Sequence, residues 1–140
     1  MEILKIKISD IYILQSEIDG ISNDTVNIKG FINEKISLSI KYWLLHLKRQ
    51  IKDILSIIDE IKIDLVKKYG HIDADNNYVL PYYINETEIN PNYILFQEKF
   101  NELLNEEREI EYMPISMDVI ENIQTDSVYP FILQNLIKTI

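Results

Sequence analysis

The chain has no cysteine, three glycines, four prolines and one tryptophan in 140 residues. Without thiols, disulfides, thiolate nucleophiles and cysteine-bound zinc are excluded. Three glycines do not make a phosphate-cradling loop, and the two histidines, His46 and His71, fall in different predicted elements. That is too few ligands for a metal site and leaves no Ser-His-acid arrangement, so no metal, no cofactor and no enzymatic activity are expected. Alanine, the best helix former, occurs once, at Ala74, while isoleucine, asparagine and tyrosine abound. This is the signature of an AT-rich genome, not of selection for helix propensity. No apolar run approaches the roughly 18 residues of a membrane span. The start alternates Leu4, Ile6 and Ile8 with Lys5 and Lys7 and lacks the apolar centre of a secretory signal. A cytoplasmic protein without a membrane partner is expected. Cations are also scarce: 14 Lys and Arg stand against 23 Asp and Glu, a net charge of -9. Duplex DNA is therefore not an expected partner, because phosphate contacts need Lys and Arg.

What is present is a heptad seam. Ile40, Leu44, Leu47, Ile51, Ile54, Ile58, Ile61 and Leu65 repeat in steps of four and three, which predicts one helix from about Leu38 to Tyr69. At 1.5 Å per residue it would run roughly 48 Å. Ser37 or Ser39 would cap its start. Lys67, Lys68 and Gly70 suit its end, by the helix dipole and by glycine's access to positive φ. Trp43, Leu55 and Ile57 widen the stripe beyond a two-position zipper, so the seam reads as the spine of a globular hairpin. Any uncovered part of it implies a homo-oligomer.

The remaining elements are shorter. Residues 3–8 read as a strand, and Ser9 or Asp10 would cap a helix running to Gly20. Residues 21–34 read as a loop in which Val26 and Ile28 can form a small hairpin strand. His71 to Asn77 is a polar turn, Tyr78 to Ile84 an edge strand broken by Pro81, and Ile89 can pair back on it. A second helix is expected over about Asn92 to Arg108, then a strand through Ile110, Tyr112 and Ile115. Ser116 would cap a short helix over 117–123, and Pro130 would open a terminal one. Lys41, Lys48, Arg49 and Lys52 make the first half of the long helix basic. Glu102, Glu106, Glu107, Glu109 and Glu111 make the end of the second helix acidic, which suits antiparallel pairing of the two. The expected fold is mainly α with a small β element: a long antiparallel helical hairpin plus short terminal helices, in one domain over residues 1–140.

Four groups of residues invite a functional reading. Lys41, Trp43, His46, Lys48, Arg49 and Lys52 could hold a phosphate, with Trp43 or a tyrosine stacked on a base. The plainer reading is a solvated helix face paired with glutamates. Tyr78, Tyr82, Tyr83, Tyr93 and Tyr112 offer large, low-entropy contact area, or simply a half-buried sheet surface. Asp73, Asp75 and Asn77 begin like a calcium loop, but Tyr78 and Ile84 stand where glycine and glutamate are required, which leaves a turn. Glu106, Glu107, Glu109 and Glu111 would need burial to separate their pKa values for acid-base work, and an exposed face is the simpler reading.

Four blocks, ISDIYILQSEIDG, FINEKISLSIKYWLLHLKRQIKDI leading into LVKKYG, FQEKFNELLNEEREIEYMPIS and VYPFILQNLIK, together cover most of the chain. They resemble a group of small phage- and prophage-encoded proteins with a long helix ending in a KKYG-like turn and an F…EF.ELLN.E.EIE helix leading into a strand. The resemblance carries no catalytic residues and implies a phage origin, in agreement with the composition. The expected function is a non-enzymatic phage accessory protein that binds a host factor or sequesters a small nucleotide signal to counter host defence. Its site would draw on Lys41, Trp43, Lys48, Arg49, Lys52, Tyr82 and Tyr83. The alternative is a virion assembly or connector protein acting through helical oligomerisation.

Overall fold

The computed structural model describes residues 1–138. The fold is mixed α+β, with five α-helices and three two-stranded antiparallel sheets among the described residues. The chain groups into two compact units: Met1–Lys52 together with the segment from Glu107 onward, and Asp53–Glu106.

The first unit is built on strand β1 (Glu2–Lys7), helix α1 (Ile8–Asp19), the β2–β3 hairpin (Ile21–Ser22, Asn27–Ile28), the first half of α2 (Leu38–Tyr69), β6 (Glu107–Tyr112), α4 (Met117–Asn122) and α5 (Pro130–Asn135). α1 starts directly on the end of β1, so Ser9 and Asp10 lie inside the helix and do not cap it. Its Ile8, Ile11, Leu14 and Ile18 recur every three to four residues and are all buried. β1 pairs antiparallel with β6, Leu4 opposite Ile110 and Ile6 opposite Arg108, and Ile6, Ile110 and Tyr112 face the core. Two glycines let the chain double back beside α1. Gly20 and Gly30 both hold positive φ, +92° and +96°, and a Cβ on either would lie 2.6 Å from a backbone oxygen of the opposing segment. Phe31, which follows Gly30 in a single 3₁₀ turn, is thereby delivered fully into the core.

α2 has the expected span, and Ser37 caps it: the Ile40 N–H donates to Ser37 Oγ at 3.2 Å. Leu44, Leu47 and Ile51 of the seam are buried in this unit and Ile40 is half-buried. Gln50, on the same half of α2, closes the open edge of β6. Its Nε2 donates to the Glu111 carbonyl at 2.8 Å and its Oε1 accepts from the Glu111 N–H at 2.9 Å, as a neighbouring strand would. Gln50→Leu should therefore leave a strand-edge pair unmatched and lower stability by about 1–2 kcal/mol in urea unfolding. A change under about 0.3 kcal/mol would mean that water replaces the amide fully.

The second unit holds the rest of α2, the short hairpin β4–β5 (His71–Ile72, Tyr78–Val79) and α3 (Pro91–Leu104). The expected strand over 78–84 shrinks to Tyr78–Val79, and residues 71–72, expected in a turn, form its partner. Tyr83 and Ile89 do meet, as an isolated antiparallel bridge. Asn90 organises α3. Its Oδ1 caps the Asn92 N–H at 3.0 Å, and its Nδ2 donates to the Pro81 carbonyl at 3.0 Å. Leu55, Ile58 and Phe96 are the buried apolar side chains here, and Ile54, Ile61 and Leu65 of the seam are half-buried. α3 ends at Leu104, four residues short of expectation, because 107–112 pair with β1 as β6.

That pairing redirects the charges. Glu107 and Glu109 lie on a strand opposite Lys7 and Lys5, and Glu111 lies opposite Ile3, so these glutamates are not helix partners of the basic stretch in α2. Lys48 pairs instead with Asp19 of α1, at 2.9 Å.

Candidate functional site

The basic stretch of α2 divides into two faces. At 3.6 residues per turn, Leu38, Tyr42, Leu45, Arg49 and Lys52 fall within an arc of about 80° that lies roughly opposite the buried seam. Leu38 is 84% exposed, Tyr42 62% and Leu45 44%. Lys41, Arg49 and Lys52 are exposed around them, and among the described residues they pair with no carboxylate. Lys48 is spent on Asp19, an exposed pair worth under about 1 kcal/mol.

Trp43 sits on the border between this face and the core. Its ring meets Tyr42 edge-on at 5.0 Å and His46 at 5.8 Å, a three-ring row along one turn and a half of helix. His46 Nδ1 lies 3.4 Å from Gln50 Nε2. Below Trp43 opens a cleft of about 190 Å³, walled by Ser39, Ile40, Leu44, Leu47, Tyr112, Met113, Pro114, Ile115 and Leu136. None of these lining residues is cationic. The volume is below the roughly 300–1,000 Å³ of small-molecule sites and suits one large apolar side chain. Tyr112 turns its hydroxyl away to Glu2 Oε2 at 3.0 Å. Burial, and then the Glu2 carboxylate, push that hydroxyl above the ordinary tyrosine pKa, so it stays protonated.

The other expected residues lie elsewhere. Tyr82 and Tyr83 belong to the second unit, where Tyr83, Tyr82, Tyr93, Phe96 and Phe100 form a ladder of rings 4.6, 5.0, 5.9 and 5.9 Å apart. A shallow groove of about 480 Å³ runs beside Phe96 and Phe100, with Lys62 Nζ 5.5 Å from the Phe100 centroid. Tyr78 takes Lys67 at 5.8 Å. Asp73 is a turn residue: its Oδ1 accepts the N–H groups of Asp75 and Asn77, both at 2.9 Å, which is what an Asx turn requires. Among the described residues no group of three or more His, Asp or Glu could hold a metal ion, and no helix is long and apolar enough to cross a membrane.

Two buried carboxylates, unremarkable in sequence, hold the C-terminal segment of the first unit. Glu17, on α1, accepts from the N–H groups of Phe131 and Ile132 at 3.0 Å each. These are orphan donors at the start of α5, so a carboxylate from another helix acts as its cap. Burial raises the Glu17 pKa above 4.5, and the two backbone bonds pull back only partly. Glu34 receives the Tyr129 hydroxyl at 2.6 Å and faces the Lys29 ammonium at 3.3 Å. Burial pushes its pKa up, but the Tyr129 and Thr125 hydroxyls and Lys29 outweigh it and bring the pKa below 4.5. Burial and the Glu34 carboxylate in turn drive the Tyr129 hydroxyl far above the tyrosine norm. Both carboxylates are committed to backbone and tyrosine donors.

No protein-family model, no curated protein and no solved structure matches the chain.

Proposed function

We propose that this chain is a non-enzymatic phage accessory protein that acts in the host cytoplasm by binding a host protein through the first half of α2. The observation that carries this reading is the juxtaposition of an exposed Leu38, Tyr42 and Leu45 stripe with unpaired Lys41, Arg49 and Lys52 and the apolar cleft under Trp43. Recognition surfaces are enriched in aromatic residues and arginine. A nucleotide signal fits less well, because the cleft offers a base no cationic phosphate partner and Lys48 is already engaged by Asp19. In the second unit we read α2 and α3 as the arms of an antiparallel helical hairpin, supported by Lys62 over Phe100 and the groove that both helices line.

Thermal shift against cyclic and linear nucleotides, run beside affinity capture from host lysate, tests the reading. A specific captured protein and no nucleotide stabilisation are expected. A ligand at 100 times its Kd would add about 2.7 kcal/mol, and a shift of that size would move the assignment to nucleotide sequestration. The second reading, a virion assembly protein that self-associates, is favoured by the exposure of Leu38 and Tyr42 alone. Light scattering separates the two: a stable homo-oligomer at micromolar concentration supports assembly.

A further inference from the structure

We propose that the solvent face of the first half of α2 is a docking surface for an acidic amphipathic helix of a protein partner. This rests on the reading of the chain as a protein-binding module and names the chemistry of what it binds.

The argument is one of charge and periodicity. The protein carries -9 overall, yet Leu38–Lys52 contains no acid, and three of its cations, Lys41, Arg49 and Lys52, are unpaired among the described residues. A chain with 23 acids gains nothing for its solubility by leaving one helix segment purely basic. Charge screening at physiological salt acts over about 8 Å, so a ligand on this face feels the local cations far more than the distant acids. Between the cations, Leu38, Tyr42 and Leu45 are spaced four and three apart, so they form a straight apolar ridge about two turns long. Ridges at this spacing pack into the grooves of another helix. The complementary object has apolar residues at the same spacing and acids flanking them: an acidic amphipathic helix, the helix-on-helix mode of peptide recognition. An isolated phosphate would use the cations but not the ridge. A neutral apolar helix would use the ridge but leave the cations unmatched.

The protein's sole tryptophan is the probe. Trp43 touches Tyr42 at 5.0 Å, so docking on the ridge should perturb its emission. The ligand is a synthetic peptide of about 18 residues, five helical turns, with leucines on one face and glutamates on the other. Saturable quenching or shift of Trp43 emission at micromolar peptide, weakening as salt is raised, is expected. A scrambled peptide of the same composition and a version with lysine for glutamate should each bind at least about tenfold more weakly. So should the full-length Lys41→Glu/Arg49→Glu chain and the Tyr42→Ala chain. All three positions are exposed, and circular dichroism melts would show each variant folded.

Equal binding of the scrambled peptide would overturn the proposal, since it would reduce the effect to polyelectrolyte attraction. Absence of saturation at millimolar peptide would overturn it too. So would competition by inorganic triphosphate at equal potency, which would make the face an anion site, or a dimer that Tyr42→Ala disperses, which would put a second copy there. A host protein captured equally by wild type and by Lys41→Glu/Arg49→Glu would defeat this inference alone and leave the protein-binding reading standing.

Discussion

A Glu17→Ala chain is expected to lose about 2–4 kcal/mol of stability, read as a lowered urea midpoint with an unchanged slope. Glu17 is 4% exposed, and both of its oxygens are used by the Phe131 and Ile132 N–H groups. Tyr129 occupies the N-cap position of α5 but makes no side-chain cap bond, and a helix of six residues cannot hold itself in water. Removing the carboxylate leaves two donors without an acceptor in an apolar surround. The segment carrying Ile132 and Leu136, both fully buried, should then open. Hydrogen exchange of the 131–136 amides should rise more than that of α1, and a uniform rise across the unit would count against a local cap.

The same site predicts a pH profile. The Glu17 pKa is raised on folding, so the folded state holds that proton more tightly than the unfolded chain. Its contribution is fullest below 4.5 and declines as pH climbs through the raised folded value. Glu34 has the opposite sign: its pKa is lowered, so its contribution is full above 4.5 and is lost as pH falls through the lowered folded value. Unfolding free energies from about pH 3 to about pH 7 should show Glu34→Gln flattening the acid limb and Glu17→Gln flattening the limb above 4.5. Interchange of those two effects would overturn the assignment.

Phe31→Ala is expected to cost about 3–5 kcal/mol, the range for emptying an aromatic site in a packed core. Phe31 is fully buried and meets Tyr129 edge-on at 5.3 Å and 89°. The loss therefore has two parts, the cavity and the orientation of the ring whose hydroxyl serves Glu34. Phe31→Leu should recover most of the first part and little of the second. A double-mutant cycle with Tyr129→Phe should show a coupling above about 0.5 kcal/mol. Strict additivity would mean that Phe31 acts by volume alone.

Local patterns were legible wherever a helix repeats its own spacing. The heptad from Ile40 to Leu65 marked α2, its first half buried at Leu44, Leu47 and Ile51, and Pro130 marked the start of α5. The second stripe, Leu38, Tyr42, Leu45, Arg49 and Lys52, has the same four-three spacing and was equally readable. It escaped notice because the basic residues were sorted by charge and not by face. Glu107 to Glu111 misled for a different reason. Their helix-like neighbourhood gives no sign that β1, a hundred residues earlier, will claim them as a strand. Non-local pairing overrides weak local preference, because ladder bonds and burial of Ile110 and Tyr112 outweigh propensities of a few tenths of a kcal/mol.

Periodicity, glycine positions and charge order are properties of neighbouring residues, and for this chain they were enough to place the long helix, its caps and its basic half. Which carboxylate meets which donor depends on segments a hundred positions apart arriving together. Only packing decided that Glu17 would cap α5, that Glu34 would take the hydroxyl of Tyr129, that Gln50 would close the edge of β6 and that Lys48 would turn to Asp19. The physical reason is that burial sets the cost of an unpaired polar group, and burial exists only once the tertiary fold is formed.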